Sequence, residues 1–287
     1  MKPAPFEYKA PETLDEAISD LAECGDEGKI LAGGQSLVPS MNFRLARPAI
    51  LIDLNRVPGL DRLETSAGKL EIGALVRHVR LESPVNDDPL SGLLNSSARL
   101  VGHLPIRVRG TFGGSLAHAD PAAEWCLLAT VLDAEIVATS VRGQRVIPAS
   151  EFFRTVFTTA LEPDEILSSV RLPLLGKSAR AGFVEFSRRA GDFAIVAAMA
   201  VLQLEGSRVS AARIGIGGVE GTPLRATTAE GLLVGEEPDR SLIAEAAACA
   251  AENSSPMEDI HGSVEYRKDL VRVLVRRAIE AAISGES

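Results

Sequence analysis

The sequence predicts an α+β protein of two domains, and three observations carry that expectation. The chain has 287 residues, about twice the length of a typical domain. Its first half twice places a glycine-rich loop ahead of a helix-compatible segment, once directly after a buried strand. Past a short polar, glycine-containing stretch at 174–180, LLGKSAR, strands are followed by helices. The boundaries are set at 1–175, with subdomains of about 1–57 and 58–175, and at 176–287.

The elements follow in order. Thr13 and Glu16 form a capping box ahead of Leu14, Ala17, Ile18 and Leu21 at helical spacing, so a helix runs to about Gly25. KIL (29–31) and AILIDL (49–54) are short buried strands on either side of a glycine loop and a proline-interrupted stretch. Residues 60–75 form a hairpin turning at Ser66-Ala67-Gly68, and a helix spans Leu90 to Val101. AEWCLLATVL (123–132) is a buried helix, AEIVAT (134–139) a strand, and EILSSVRLP closes the half at Pro173. Beyond the linker FVEFS, IVAAMAVLQL and VSAARIGIG are strands, and AEGLL, SLIAEAAACAAE and VEYRKDLVRVLVRRAIEAAI are helices.

Composition removes several classes of function. Thirty basic and 39 acidic residues give a net charge of -9 with no basic block, which excludes a phosphate-backbone partner and so nucleic acid. No apolar run approaches the roughly 20 residues that cross a bilayer. The start lacks the pattern of a signal peptide, so the chain is expected to be cytoplasmic. Cys24, Cys126 and Cys249 are too few and too far apart for a disulfide framework, a structural zinc site or a four-cysteine cluster. The four histidines, His78, His103, His118 and His261, show no metal-ligand spacing.

Chemistry concentrates in the glycine passages. AGGQSL, comprising Ala32, Gly33, Gly34, Gln35, Ser36 and Leu37, offers successive backbone N–H groups that can converge on an anion. A Gly-Gly pair by itself is more often a tight turn. The second passage, TFGGSL, repeats the logic with Thr111, Phe112, Gly113, Gly114 and Ser115, and two such loops suit the two phosphates of one pyrophosphate. A third cluster, GIGGVEG (215–221), lacks the following helix and second parallel strand of a dinucleotide fingerprint and is expected to be a structural turn. A Ser115, His118 and Asp120 triad is disfavoured, because three residues within six positions rarely reach triad geometry. Asp120 is expected to cap a helix with Pro121 in its first turn. Glu124, one turn on, would face water or a donor-rich partner such as the hydroxyls of a ribityl chain. Phe193, in RRAGDFAIVAAMA, begins an apolar strand and by composition is a core residue.

Together AGGQSL, RGTFGGSLAHADPAAE, TALEPDEIL (159–167) and EFSRRAGDFAIV (185–196) make the chain resemble, over nearly its whole length, the FAD-binding medium subunits of the molybdenum hydroxylases, the xanthine dehydrogenase and carbon monoxide dehydrogenase family. The resemblance implies a vanillyl-alcohol-oxidase-type (PCMH-type) FAD-binding domain of two α/β subdomains and a smaller C-terminal α+β domain. By the same resemblance residues 32–36 and 111–115 hold the FAD pyrophosphate, Val101 lies near the adenine, Glu124 contacts the cofactor, Leu161 and Leu167 line the flavin, and Phe193 lies near one ring face. Glu124 stands where aspartate is usual, Gln35 where some members have histidine, Val108 where many have asparagine, and Phe193 where some have tyrosine. No catalytic residue and no metal site is implied in this chain. The implied role is an electron-transfer subunit of a complex built as a dimer of heterotrimers, whose small subunit carries two two-iron two-sulfur clusters and whose large subunit carries the molybdenum cofactor. The alternatives are a free-standing FAD-dependent oxidase or dehydrogenase and a non-redox nucleotide-binding module.

Overall fold

The computed structural model describes residues 2–285, so the outermost residues of the two expected domains, 1 and 286–287, lie outside the described residues. The N-terminal part is built from β1 (Glu7–Lys9), α1 (Leu14–Cys24), β2 (Gly28–Leu31), α2 (Leu37–Asn42) and β3 (Ile50–Asp53). Thr13 Oγ1 accepts from the N–H of Glu16 and the Glu16 carboxylate accepts from the N–H of Thr13, so the expected capping box closes. The three strands form a parallel sheet in the order β1-β3-β2, with Leu31 opposite Asp53. Parallel pairing needs a crossover between strands, and α1 supplies the first and α2 the second. Ala17, Ile18 and Leu21 of α1 bury one face against Ile52, Leu54, Leu75 and Ile166.

Next come β4 (Leu63–Ser66) and β5 (Lys69–Gly73), joined by Ala67 and Gly68, whose φ values of 48° and 75° are those of a hairpin turn with both central residues left-handed. Helices α3 (Pro89–Leu100), α4 (Leu104–Arg107), α5 (Phe112–His118) and α6 (Glu124–Val131) precede β6 (Glu135–Ser140) and β7 (Gly143–Pro148). A short α7 (Ala149–Phe152) leads to the small ladder β8 (Phe153–Thr155) and β9 (Thr158–Thr159), and β10 (Ile166–Pro173) returns to the sheet. The resulting five-stranded antiparallel sheet runs β4-β5-β10-β6-β7. Phe112 of α5 and Trp125 of α6 are fully buried beneath it with ring centroids 5.0 Å apart.

Asp88 connects this part to the linker. Its Oδ1 caps α3 through the N–H of Leu90 and also accepts from the N–H of Leu175, while Oδ2 accepts from Gly176. The linker is shorter than expected, because β11 (Ala179–Phe186) already begins at Ala179. The C-terminal sheet continues with β12 (Val196–Glu205), β13 (Arg208–Gly217) and β14 (Leu224–Arg225), in that spatial order. Helices α8 (Thr227–Leu233), α9 (Arg240–Glu252) and α10 (Val264–Ser284) complete the chain.

The unbroken apolar run of β12 has a direct cause. Ala197, Met199 and Val201 point into the core shared with Trp125 and Leu127, whereas Val196, Ala198, Ala200 and Leu202 point into the core formed with α9 and α10. Both faces of the strand are covered, so alternation with polar residues has no place to occur.

Arg267 of α10 is buried, and its guanidinium donates to the carbonyls of Ile195 and Gly218 at 2.8 and 2.7 Å and pairs with Asp259 at 2.8 Å. It thereby holds the ends of β12 and β13 against the helix. Arg267→Met leaves the buried Ile195 carbonyl and the half-buried Gly218 carbonyl without this donor, and a loss of about 3 kcal/mol in urea unfolding free energy is expected.

Candidate functional site

The first glycine passage leaves β2 and enters α2. Gly34 has φ 72°, a conformation that L side chains resist, and Ser36 returns to the right-handed region at φ -104° and ψ -43°. Among the described residues, the backbone N–H groups of Gly33, Gly34, Gln35, Ser36 and Leu37 have no acceptor in the fold, since the first helical bond runs from Val38 to the Gly34 carbonyl. The hydroxyl of Ser36 is likewise free, while Gln35 Nε2 folds back onto the Gly33 carbonyl at 3.1 Å. Successive free N–H groups at a left-handed to right-handed transition form an anion-binding nest. Histidine at position 35 is therefore not needed for the donors.

The second passage is held differently. It begins at Thr111, which caps α5 by accepting from Gly114 N–H, and both glycines lie in the first helical turn. Phe112 N–H donates to Val76, Gly113 N–H to Ala74 and Ser115 N–H to Thr111, so these donors are used within the protein. The expected row of free N–H groups is confined to the first passage; the second contributes the free hydroxyl of Ser115 and a rigid wall. The passages meet: a Cβ on Gly33 would lie 2.5 Å from the Arg109 carbonyl oxygen and 2.7 Å from Gly110 Cα, and one on Gly114 would lie 3.5 Å from Ala32 Cβ.

The following turn corrects one expectation and narrows another. Asp120 does not cap α6: its Oδ1 accepts from Ala122 N–H at 2.9 Å, and Ala123 is the N-cap. Pro121 precedes the helix because its carbonyl accepts from Gly218 N–H of the C-terminal sheet at 2.9 Å. Glu124, the first residue of α6, does not face water; it is 5% exposed. Burial, and then the nearby carboxylate of Glu185, push its pKa up to about 8. Burial also raises Glu185 of β11, whose Oε2 is buried without a partner. Glu185 pairs with Ala197 and Ala197 with Gly217, and that row of the sheet meets Pro121 and Leu127. The sequence gives no warning of Glu185, which sits in an ordinary strand pattern.

The remaining candidates are spread along the edge of this arrangement. Val101 and Leu167 are buried in the same core cluster, with Leu161 packed against it. Phe193 lies outside that core and before β12 rather than at its start, and it is 58% exposed. The turn that presents it lies on the helix preceding the second passage, because a Cβ on Gly191 would overlap the His103 ring. His118 stacks on Phe157 with centroids 4.8 Å apart, and among the described residues no hydrogen bond joins it to Ser115 or Asp120. His78 is a packing residue: its Nδ1 accepts from Trp125 Nε1 at 2.9 Å, and burial, with Arg77 and Arg107 nearby, pushes its pKa down to about 4.

Comparison with known proteins gives this arrangement a context. Residues 4–175 match the FAD binding domain in molybdopterin dehydrogenase, and residues 181–282 match the CO dehydrogenase flavoprotein C-terminal domain. The chain is 40% identical over 284 residues to the 6-hydroxypseudooxynicotine dehydrogenase complex subunit alpha of Paenarthrobacter nicotinovorans, covering 99% of this chain and 96% of the relative. A chain of carbon monoxide dehydrogenase from Hydrogenophaga pseudoflava superposes with a TM-score of 0.95 at 34% identity, covering 99% of each chain. A chain of quinoline 2-oxidoreductase from Pseudomonas putida 86 superposes with a TM-score of 0.93 at 40% identity, again covering 99% of each.

Two outcomes follow for the purified chain. Gly33→Ala forces the passages apart and is expected to strip most FAD, read as the ratio of visible flavin absorbance to protein absorbance. Glu124 has a folded pKa above the ordinary carboxyl value of 4.5, so the folded apo chain retains a proton that the unfolded chain releases. Its contribution is intact below pH about 4.5 and declines as pH rises towards about 8. Glu124→Gln should therefore flatten the fall of Tm across that window in thermal scans of apo protein.

Proposed function

We infer that this chain, which belongs to the FAD-binding medium subunits of the molybdenum hydroxylases, is the flavin-carrying electron-transfer subunit of such an oxidoreductase complex. The observation that carries the reading is the run of five free backbone N–H groups from Gly33 to Leu37, set just past the end of the half-buried strand β2. They would hold the FAD pyrophosphate, with the hydroxyls of Ser36 and Ser115 as further donors. Glu124 would accept from the cofactor's hydroxyl or ring N–H groups, which replaces the water it lost on burial. Val101, Leu161 and Leu167 would give the adenine and flavin apolar surface, and exposed Phe193 would cover one ring face.

Bound FAD would accept electrons from the two-iron two-sulfur clusters of a small partner subunit and pass them to an external acceptor, while substrate is oxidised at the molybdenum cofactor of a large subunit. The protein's own part is to orient the cofactor, exclude water and fix its hydrogen bonds. We read the N-terminal part as the PCMH-type pair of subdomains, about 1–57 and 58–175, followed by the domain at 176–287. The assembly is read as a cytoplasmic dimer of heterotrimers; among the described residues no helix is long and apolar enough to cross a membrane. The named substrates of two relatives, 6-hydroxypseudooxynicotine and quinoline, are nitrogen-containing compounds, which makes N-heterocycles the first class to test.

The test is reconstitution of the purified chain with FAD. One flavin bound per chain, no oxidation of N-heterocycles, purines or aldehydes by the chain on its own, and oxidation by the complex purified with its partners are the expected results. Turnover by the isolated chain would establish a free-standing oxidase or dehydrogenase, and a chain that binds phosphate or adenine nucleotides but no flavin would establish a non-redox module.

A further inference from the structure

We propose that Asn55 and Arg77 are positioning residues, a hydrogen-bonded brace that fixes the spacing of the two glycine passages and thereby sets the affinity for the pyrophosphate of the cofactor. The proposal rests on the flavin reading above. Asn55 follows β3, and its side-chain amide is committed at both ends. Nδ2 donates to the Ala32 carbonyl at 2.8 Å and to Asp53 Oδ1 at 2.5 Å, and Oδ1 accepts from Arg77 Nη2 at 2.5 Å. Acceptors at one end and a guanidinium at the other leave a single orientation of the amide consistent with its neighbours.

Arg77 completes the connection. Its Nη1 donates to the carbonyl of Arg109, the residue whose backbone lies against Gly33. Its backbone also forms a bridge with Thr111, the cap of α5, within the segment whose Ala74 and Val76 carbonyls accept from the second passage. The brace therefore touches the residue that opens the first passage, Ala32, and the residue two before the second, Arg109. Asp53 anchors it to the parallel sheet by accepting from Asn55 N–H at 2.9 Å and from the Tyr8 hydroxyl at 2.6 Å. Burial and the neighbouring charge of Arg109 push the Arg77 pKa down, with Asp53 and Asp61 opposing that shift. A partly desolvated cation behind the nest adds a favourable field for a diphosphate.

A donor nest is useful only when its N–H groups aim at one point, and errors of about 0.5 Å are costly in such a site. No side chain interlocks the passages at Gly33, so the brace adds directional hydrogen bonds to a backbone contact that by itself sets distance but not register. It bears on the phosphate end of the cofactor and leaves the ring environment around Leu167 and Phe193 untouched.

The test uses the full-length chain freed of flavin, with FAD and riboflavin as two probes whose binding is read by fluorescence quenching. Asn55→Leu keeps the approximate side-chain volume and removes every side-chain hydrogen bond. It is expected to weaken FAD binding about tenfold or more while leaving riboflavin binding within about twofold. Arg77→Lys keeps the charge but not the planar fork and should show the same selective loss in smaller measure. Because both cut one brace, the double variant should lose less than the product of the single losses. Unchanged FAD affinity in both variants overturns the proposal, as does an equal loss for FAD and riboflavin, which would mark general loosening. Should Asn55→Leu fail to fold, Arg77→Lys decides by the same ratio. A wild-type chain that binds neither probe overturns the flavin reading itself, a result distinct from selective binding by wild type with indifferent variants.

Discussion

The contact on which the site depends is between backbones: Gly33 lies against the carbonyl of Arg109 and Cα of Gly110 so closely that even a methyl group has no room. This brings the end of a parallel strand from one sheet to the start of a helix that packs under another. Once Gly33 is in place, Gly34 turns the chain at φ 72° and the following N–H groups are left without acceptors in the fold. The second passage can then be stiff. Its N–H groups are bonded to Ala74, Val76 and Thr111, so it presents a fixed surface to a more open loop. The division of labour is physical: one passage supplies donors, the other supplies position.

The C-terminal sheet belongs to the same construction. The Pro121 carbonyl, which accepts from Gly218 N–H, takes no helical hydrogen bond, so residues 121–123 precede the helix and Glu124 stands at the very start of α6, against the row that contains Glu185. Alternate residues of β12 serve two cores, so displacement of that sheet would expose apolar surface on both sides. The position of Glu124 is thus maintained by packing far larger than any interaction it makes itself.

Much of this was legible in the sequence because the controlling interactions are local. The capping box of Thr13 and Glu16, the Ala67-Gly68 turn and the left-handed demand at Gly34 each involve residues within a few positions of one another. The failures have a common cause as well. Asp120 carries a good capping side chain, but a carbonyl contact nearly a hundred residues away delays the helix. The N–H groups of Gly113 and Phe112 are claimed by the chain at 74–76, and Glu124 is buried by a sheet that begins beyond the linker. Asn55, Arg77 and Glu185 carry no motif; their roles arise from juxtaposition across elements, and a single sequence contains no signal for it.

The distribution of unmet polarity argues for a ligand with two unlike ends. Free N–H groups gather at Gly33 to Leu37, whereas near α6 two carboxyls are withdrawn from water, Glu124 and Glu185, and Glu185 Oε2 has no partner. Helices α5 and α6 join these regions, with Cys126 Sγ donating to the Ser115 carbonyl at 3.7 Å. An anion satisfies the first region and a hydroxyl-rich or N–H-bearing group the second. A simple phosphate would leave both carboxyls at the cost of their burial, which raises the pKa of each, and would leave Glu185 Oε2 without a donor. A diphosphate joined to a polyol and a ring with an N–H offers acceptor oxygens to the nest and donors to the carboxyls. That is the distribution of polarity in FAD, and it is why the flavin reading accounts for more of this site than a phosphate-binding module does.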